Sequence, residues 1–225
     1  MLQILYEDNH CLVVDKPAGL LSQGDETGVP SLLDQAAAYL KAKYHKPGNV
    51  YIGLVHRLDQ PASGAVLLAR TSKAASRLSD QFRRGLVRKM YWAIVEGMCP
   101  ENEVELRDTL WKNEATNTVS VVSPATPGGR DAVLRYHVLE RNSGRSLLEV
   151  DLVTGRSHQI RVQLASRGFP LVGDRKYGAR SALQALDGHP RIALHSRSIA
   201  FSHPTKGEEI AVTCEAPADW PWRSP

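Results

Sequence analysis

The chain has 225 residues, of which 42% are hydrophobic and 23% are charged. These proportions are typical of a globular protein and exclude a disordered chain. No apolar run reaches the roughly 18 residues of a membrane span, and the N-terminal segment lacks the basic and apolar regions of a secretory signal. The three cysteines form no CxxC pair, which argues against a disulfide framework and a zinc knuckle. We therefore expect a soluble cytoplasmic protein.

Basic residues concentrate in two windows of the chain. Residues 70–89 carry a net charge of +6 and residues 156–180 carry +5, although the whole chain carries only +4. Such segregation is typical of a surface that binds a polyanion, because each neutralised phosphate releases counterions. One basic window alone would fit a solvated helix face. Two windows against an acidic remainder favour nucleic acid.

The apolar pattern predicts an α+β fold, with a mixed, mostly antiparallel central sheet and flanking helices, in a single domain over residues 1–225. Helices are expected at Ser31–Tyr44, Ser72–Arg84 and Ser157–Arg167, the last two ending at glycines. The expected strands are Gln3–Tyr6, Cys11–Asp15, Ile52–His56, Ala65–Arg70, Val87–Glu96, Val119–Val122, Asp131–Glu140, Arg145–Val153, Ser198–Phe201 and Glu209–Cys214. A turn at residues 141–144, which contains Asn142 and Gly144, predicts a hairpin.

The common cofactor and metal motifs are missing from the sequence. There is no GxGxxG, no P-loop, no HExxH and no GxSxG, and the eight histidines lack metal-ligand spacing. We therefore expect chemistry carried by ordinary side chains, without a metal or an organic cofactor.

The first candidate for that chemistry is the polar segment His56–Gly64, which lies between two apolar runs. A loop held by two core strands is a common mount for catalytic groups, and Asp59 is the carboxylate of this one. The alternative is a turn carboxylate that pairs locally with Arg57.

The second candidate is Thr154–Arg161, where a strand is expected to end and a helix to begin. Arg156 and His158 would lie at the positive end of the helix dipole, where cationic side chains are unfavourable. An anionic ligand bound at this point would make the arrangement favourable. A merely solvated basic turn is the alternative. Tyr91 stands in an apolar strand and fits either a site residue or a core aromatic.

Together these segments resemble the RluA family of RNA pseudouridine synthases, and the resemblance runs in the right order over nearly the whole chain. Three positions depart from the family pattern, at Ala62, Gln163 and Phe169. The matching segments are Leu12–Gly19 (VV(N/D)KPxG), His56–Gly64 (HRLDxxTSG), Lys89–Tyr91 (KxY), Thr154–Gly178 (TGRxHQIRxHLxxxGxPIxGDxxYG) and Leu194–Pro204 (LHAxxLxFxHP).

The resemblance implies an isomerase that converts uridine to pseudouridine in ribosomal or transfer RNA, without a cofactor or metal. Asp59 would be the essential carboxylate, paired with Arg161, and Tyr91 would lie against the target base. The implied RNA contacts are His56, Arg57, Lys89, Arg156, His158 and Gln159. Because the catalytic pattern starts at once, we expect a stand-alone catalytic domain without an S4 domain, acting as a monomer.

Two other functions compete with this one. A non-catalytic RNA-binding or RNA-folding protein could use the same scaffold, although Asp59, Tyr91 and Arg161 are all present. A hydrolase acting on RNA through Asp59 and a histidine would need a metal site or a second carboxylate, and the sequence offers neither at a suitable spacing.

Overall fold

The computed structural model describes residues 2–25, 28–184 and 188–222. The chain divides into two compact units. The first comprises Met1–Arg88 and Ser196–Ala216, and the second comprises Lys89–His195 and Pro217–Pro225. The expectation of a single catalytic domain stays a prediction.

Eleven strands and three α-helices lie within the described ranges. The helices are α1 (Leu32–Lys43), α2 (Ser72–Arg83) and α3 (Gln159–Ala165). The strands are β1 (Gln3–Glu7), β2 (Cys11–Lys16), β3 (Gly53–Leu54), β4 (Ser63–Ala69), β5 (Arg88–Glu96), β6 (Glu103–Asn113), β7 (Thr118–Val122), β8 (Arg130–Asn142), β9 (Arg145–Asp151), β10 (Leu194–Ser202) and β11 (Glu209–Thr213).

The first unit contains the strand order β1-β2-β4-β10, with β3 beside β4 and β11 beside β10. Strand β4 is buried along its whole length, and it pairs with β2 from Lys16↔Gly64 to Cys11↔Ala69. Helix α2 closes this core, because Ala74 and Leu78 pack among the buried side chains of β2, β4, β10 and β11. The strand that leads out of the polar segment His56–Gly64 is therefore held on both sides.

The second unit contains the antiparallel order β5-β9-β8-β6-β7. Helix α3 packs on this sheet through Val162, which joins a cluster with Leu110, Val119 and Ala132. None of the helices in the described ranges is long and apolar enough to span a membrane. The cysteines Cys11, Cys99 and Cys214 are buried and form no disulfide.

The predicted mixed, mostly antiparallel α+β fold is confirmed, with three differences in detail. Strand β6 was not predicted, and the strand predicted at Ile52–His56 is only the two residues of β3. Helix α3 was predicted to begin at Ser157, which is wrong by two residues. His158 has a left-handed backbone (φ 51°), so the first helical residue is Gln159.

Candidate active site

Asp59 lies in a segment that is fixed on both sides by the chain that follows β2. Before it, Leu58 N donates to Ser22 Oγ (3.2 Å), and Ser22 Oγ donates to Leu58 O (2.7 Å). After it, Gln60 O accepts from Gly19 N at 2.8 Å. Leu58 and Ser22 are each 5% exposed, whereas Asp59 is only partly buried. The carboxylate therefore stands at the tip of a rigid turn.

Lys16 holds the same turn in place by hydrogen bonds from its buried side chain. Its side chain is fully buried, and its ammonium donates to the carbonyls of Pro17 (2.9 Å), Leu20 (2.8 Å) and Gln60 (3.1 Å). Burial lowers the pKa of Lys16 to about 7, while the negative charges of Asp59 and Asp15 act in the opposite direction. Lys16 thus links the geometry of the turn with the charge of Asp59. Lys16 belongs to the segment Leu12–Gly19, which matches a family motif, but no role was predicted for it.

His56 and Arg57 precede this turn. The ring of His56 accepts a hydrogen bond from Leu67 N at Nε2 (2.9 Å) and stacks on Phe82 of α2, with the ring centroids 4.6 Å apart. Arg57 is exposed. His56 therefore anchors the segment to β4 and α2, and the role of both residues as RNA contacts stays a prediction.

In the second unit, Lys89 and Tyr91 point to the same face of β5, because side chains two residues apart share a face of a strand. Both are buried, at 8% and 5% exposed. Burial lowers the pKa of Lys89 to about 8, against the opposing charge of Asp151. The Lys89 ammonium lies against Gly155, where a Cβ atom would be 3.4 Å from Nζ. The strand thus brings a cation and a phenol beside the loop that leads to α3.

That loop is organised by Gln159, whose side chain is 2% exposed. Gln159 Oε1 accepts from Thr154 Oγ1 (2.8 Å) and from Arg156 N (2.9 Å). Arg156 is exposed, and its Nε donates to Asp131 O at 2.9 Å. Because α3 begins only after His158, Arg156 and His158 lie in the loop before the helix and not in its first turn.

Arg161 is held by a carboxylate that the sequence did not single out. Its Nε and Nη2 donate to the two oxygens of Asp174 at 2.7 and 2.9 Å, a fork between two buried side chains. The guanidinium also lies over the ring of Tyr177, 5.0 Å from its centroid. Tyr177 is fixed in turn, since its hydroxyl accepts from Val119 N (2.9 Å) and bonds His158 Nδ1 (2.7 Å). The Gly-bounded loop 173–178 is thus the support of Arg161.

The predicted site residues fall into two groups. Asp59, His56 and Arg57 belong to the first unit, whereas Tyr91, Lys89 and the residues of loop 154–161 belong to the second. The predicted pair between Asp59 and Arg161 stays a prediction.

One group of potential metal ligands, Asp8, Cys11 and His203, lies within the described ranges, with its ligand atoms within 4.8 Å of one another. His203 Nδ1 accepts from Lys206 N (3.0 Å), so its Nε2 carries the proton and donates to Asp8 (2.7 Å). Burial raises the pKa of the Cys11 thiol to about 12. The group is therefore a hydrogen-bonded part of the first unit's framework.

A model of the family described as RNA pseudouridylate synthase matches residues 10–166, which run from β2 to the end of α3. The chain belongs to this family. The predicted RluA-type pseudouridine synthase is thereby confirmed, and with it the enzyme class, an isomerase that converts uridine to pseudouridine in RNA.

Two curated relatives resemble the chain over almost its full length. An RNA pseudouridine synthase of Bacillus subtilis, YhcT, is 37% identical over 221 residues, which cover 97% of this chain and 70% of the relative. Ribosomal large subunit pseudouridine synthase D of Pseudomonas aeruginosa is 35% identical over 234 residues, covering 98% and 70%. The solved structure of human RNA pseudouridylate synthase domain containing 4 shares the fold, with a TM-score of 0.79 at 23% identity, covering 97% of this chain and 90% of that one.

Proposed function

We propose that this pseudouridine synthase uses Asp59 as its essential carboxylate and modifies uridine in ribosomal RNA. The observation that carries the proposal is the turn around Asp59, in which both neighbouring residues are hydrogen-bonded to the chain after β2 and a buried ammonium lies beneath. A partly exposed carboxylate on such a turn is preorganised for reaction at a nucleoside.

The reaction moves one bond and consumes no water. The bond between uracil N1 and the ribose C1′ breaks, the base turns, and C5 bonds to C1′, after which C5 loses its proton and N1 gains one. Asp59 either attacks C1′ or removes a proton from the ribose, and both roles need its ionised form. A nearby guanidinium or ammonium favours that form.

Arg161 and Tyr91 complete the proposed catalytic group. Arg161 would pair with Asp59 through the part of its guanidinium that the fork with Asp174 does not use. Tyr91, buried on β5, would lie against the base and assist loss of the C5 proton. The target uridine must leave the RNA stack to reach this group, because an enzyme that acts on a base extrudes it. The exposed side chain of Arg57 would take its place.

The ribosomal substrate is supported by the name of the Pseudomonas relative, and transfer RNA is the competing substrate. The remaining predicted RNA contacts are His56, Lys89, Arg156, His158 and Gln159, of which only Arg156 is exposed in the free protein. A monomeric state and a cytoplasmic location stay predictions.

The test compares the wild-type protein with Asp59→Asn on unmodified large-subunit ribosomal RNA and on unmodified transfer RNA. We expect the rate of pseudouridine formation to fall by at least about 10³-fold in the variant, because the amide can neither attack nor accept a proton. RNA affinity should stay near the wild-type value. Modified positions are mapped by carbodiimide labelling and primer extension.

An Asp59→Asn protein that still modifies RNA would refute the catalytic assignment. Modification of transfer RNA alone would refute the ribosomal substrate.

A further inference from the structure

A groove of about 700 Å³ lies on the first unit, between α2 and the loop that joins β10 to β11. We call it the α2 groove. Its lining includes Ser76, Arg77, Asp80 and Arg83 from the helix and Thr205 and Lys206 from the loop. Its helix wall belongs to the basic window 70–89, which the sequence already indicates as a polyanion-binding surface, and it includes none of the residues predicted for the catalytic group.

The two walls of the α2 groove are cross-linked by hydrogen bonds. Gln81 Nε2 donates to Ser202 O (2.7 Å), and Ser202 N donates to Gln81 Oε1 (3.0 Å). Arg77 Nη1 donates to Pro204 O at 2.6 Å. The groove is therefore preformed, and a ligand would not have to open it.

The loop wall is rigid for a further reason. His203 is 1% exposed, and its Nδ1 accepts from Thr205 N (3.3 Å) and Lys206 N (3.0 Å). Its other nitrogen donates to Asp8. Lys206 is thus presented from a turn built on a buried histidine.

The charge of the α2 groove is positive. Its lining carries three cations, Arg77, Arg83 and Lys206, against the single carboxylate of Asp80. Asp80 is shared by Arg83 and Arg84, and Lys206 lies 3.3 Å from Glu208. These ion pairs are exposed and hence weak, so their cations can exchange a carboxylate for a phosphate at little cost.

The helix also connects the groove with the Asp59 segment. Phe82 stacks on His56, while Arg77 and Arg83 line the groove. Since a helix is only about 10 Å across, RNA in the groove would lie close to the segment that carries the proposed catalytic carboxylate.

We infer that the α2 groove binds the sugar–phosphate backbone of the RNA substrate, at nucleotides that flank the modified uridine. The lining offers cations and hydroxyls but no exposed aromatic ring on which a base could stack, which favours backbone contacts without sequence preference. The inference rests on the RNA substrate of the proposed function.

The test is the double variant Arg83→Ala/Lys206→Ala, assayed for RNA affinity over a salt series and for modification at saturating RNA. Both side chains are exposed, so we expect the fold to be retained. We expect Kd to rise roughly tenfold at about 0.1 M salt, and the slope of log K against log salt to shrink by roughly 1.4, as for two lost contacts to single-stranded phosphates. The modification rate at saturating RNA should fall by a smaller factor than the affinity does.

The matched control is Arg107→Ala/Arg135→Ala in the second unit. These arginines are similarly exposed and, like Arg83 and Lys206, pair with carboxylates, but neither of them lines the α2 groove. The control should bind RNA as the wild type does.

Equal affinities and salt slopes for both double variants would overturn the inference. A lower rate at saturation with unchanged affinity would do the same. Wild-type protein that binds RNA but forms no pseudouridine would refute the proposed catalytic function, while the binding comparison would still test the groove.

Discussion

The two-hydrogen-bond ion pair between Arg161 and Asp174 places two opposite charges in the interior of the second unit. Because water is largely excluded there, each charge is compensated mainly by the other. Their side chains are 6% and 1% exposed. Removing one charge of a buried pair typically costs about 3–5 kcal/mol, because the other is left uncompensated. The fork therefore fixes the direction of the guanidinium that is proposed to meet Asp59.

Replacement of Asp174 tests this positioning. Asp174→Asn keeps the shape but removes the charge, and we expect the modification rate at saturating RNA to fall at least about 10²-fold with little change in RNA affinity, since the guanidinium loses its orientation. Asp108→Asn is the control, because Asp108 receives a fork of the same geometry from Arg167, an exposed residue just after α3 (2.8 and 2.9 Å). Equal losses of rate in the two variants would show that Asp174 does not act through the orientation of Arg161.

A residue can belong to a recognised motif although the sequence alone does not reveal its structural role. Lys16 follows four apolar or acidic residues at the end of β2, and only the structure shows its three carbonyl partners. Asp174 lies 13 positions from Arg161, a separation that no local pattern connects. Asp59 became a candidate because its polar segment lies between two apolar runs, and its catalytic role, which the family resemblance implies, stays a prediction.

At the level of elements, the start of β4 depends on a single glycine. Gly64 has φ 114°, and a Cβ there would lie 2.5 Å from both N and O of Ser196 on the neighbouring strand. The close approach of these two backbones aligns the strand that leaves the Asp59 turn.

Gly64→Ala should therefore destabilise the protein by more than about 2 kcal/mol, through strain and through the clash with Ser196. Gly85→Ala separates the two effects, since Gly85 also has a positive φ (68°) but open space around it. We expect the control to lose only about 1 kcal/mol. Urea unfolding measures both variants, and equal losses would show that the approach to Ser196 is unimportant.

The elements with local signals were predicted well, and those without were not. Helices α1 and α2 were predicted to within one residue at each end, and the structure shows a capping box of Ser31 and Asp34 before α1 and a Thr71 cap before α2. Strand β6 was missed because charged residues, which occupy most of its exposed positions, alternate with its apolar residues, so the sequence shows no continuous apolar run there. The left-handed backbone of His158, which shortens α3, could not be predicted, because only a few per cent of non-glycine residues adopt it, although histidine is enriched among them.

At the level of the whole molecule, buried lysines couple stability to pH. Burial lowers the pKa of Lys16 to about 7 and that of Lys89 to about 8. Above these values the unfolded chain binds more protons than the folded one, so this contribution raises the free energy of unfolding as the pH rises towards 10. Below pH 7 both lysines are protonated in the folded and in the unfolded chain, so they no longer make the free energy of unfolding depend on pH.

The variant Lys16→Met removes the contribution of Lys16 to the pH dependence of stability. Between pH 7 and 9, we expect the free energy of unfolding of the wild type to gain up to about 1.4 kcal/mol per pH unit relative to the variant, because one fewer proton is released on folding in the variant. Parallel urea titrations at several pH values measure the difference, and the effects of the three buried thiols cancel in it. A difference that stays constant with pH would contradict the lowered pKa.

The division of the chain has a consequence for the order of folding. The first unit consists of two stretches, and its second stretch, Ser196–Ala216, supplies most of β10 and all of β11. A ribosome delivers those strands only after residues 89–195 have emerged, so most of the second unit can condense while the first still lacks two strands. Gly64 meets its neighbour Ser196 late in synthesis. The Asp59 turn can thus form early from residues 16–60, but the strand that leaves it gains its β10 neighbour among the last parts of the protein.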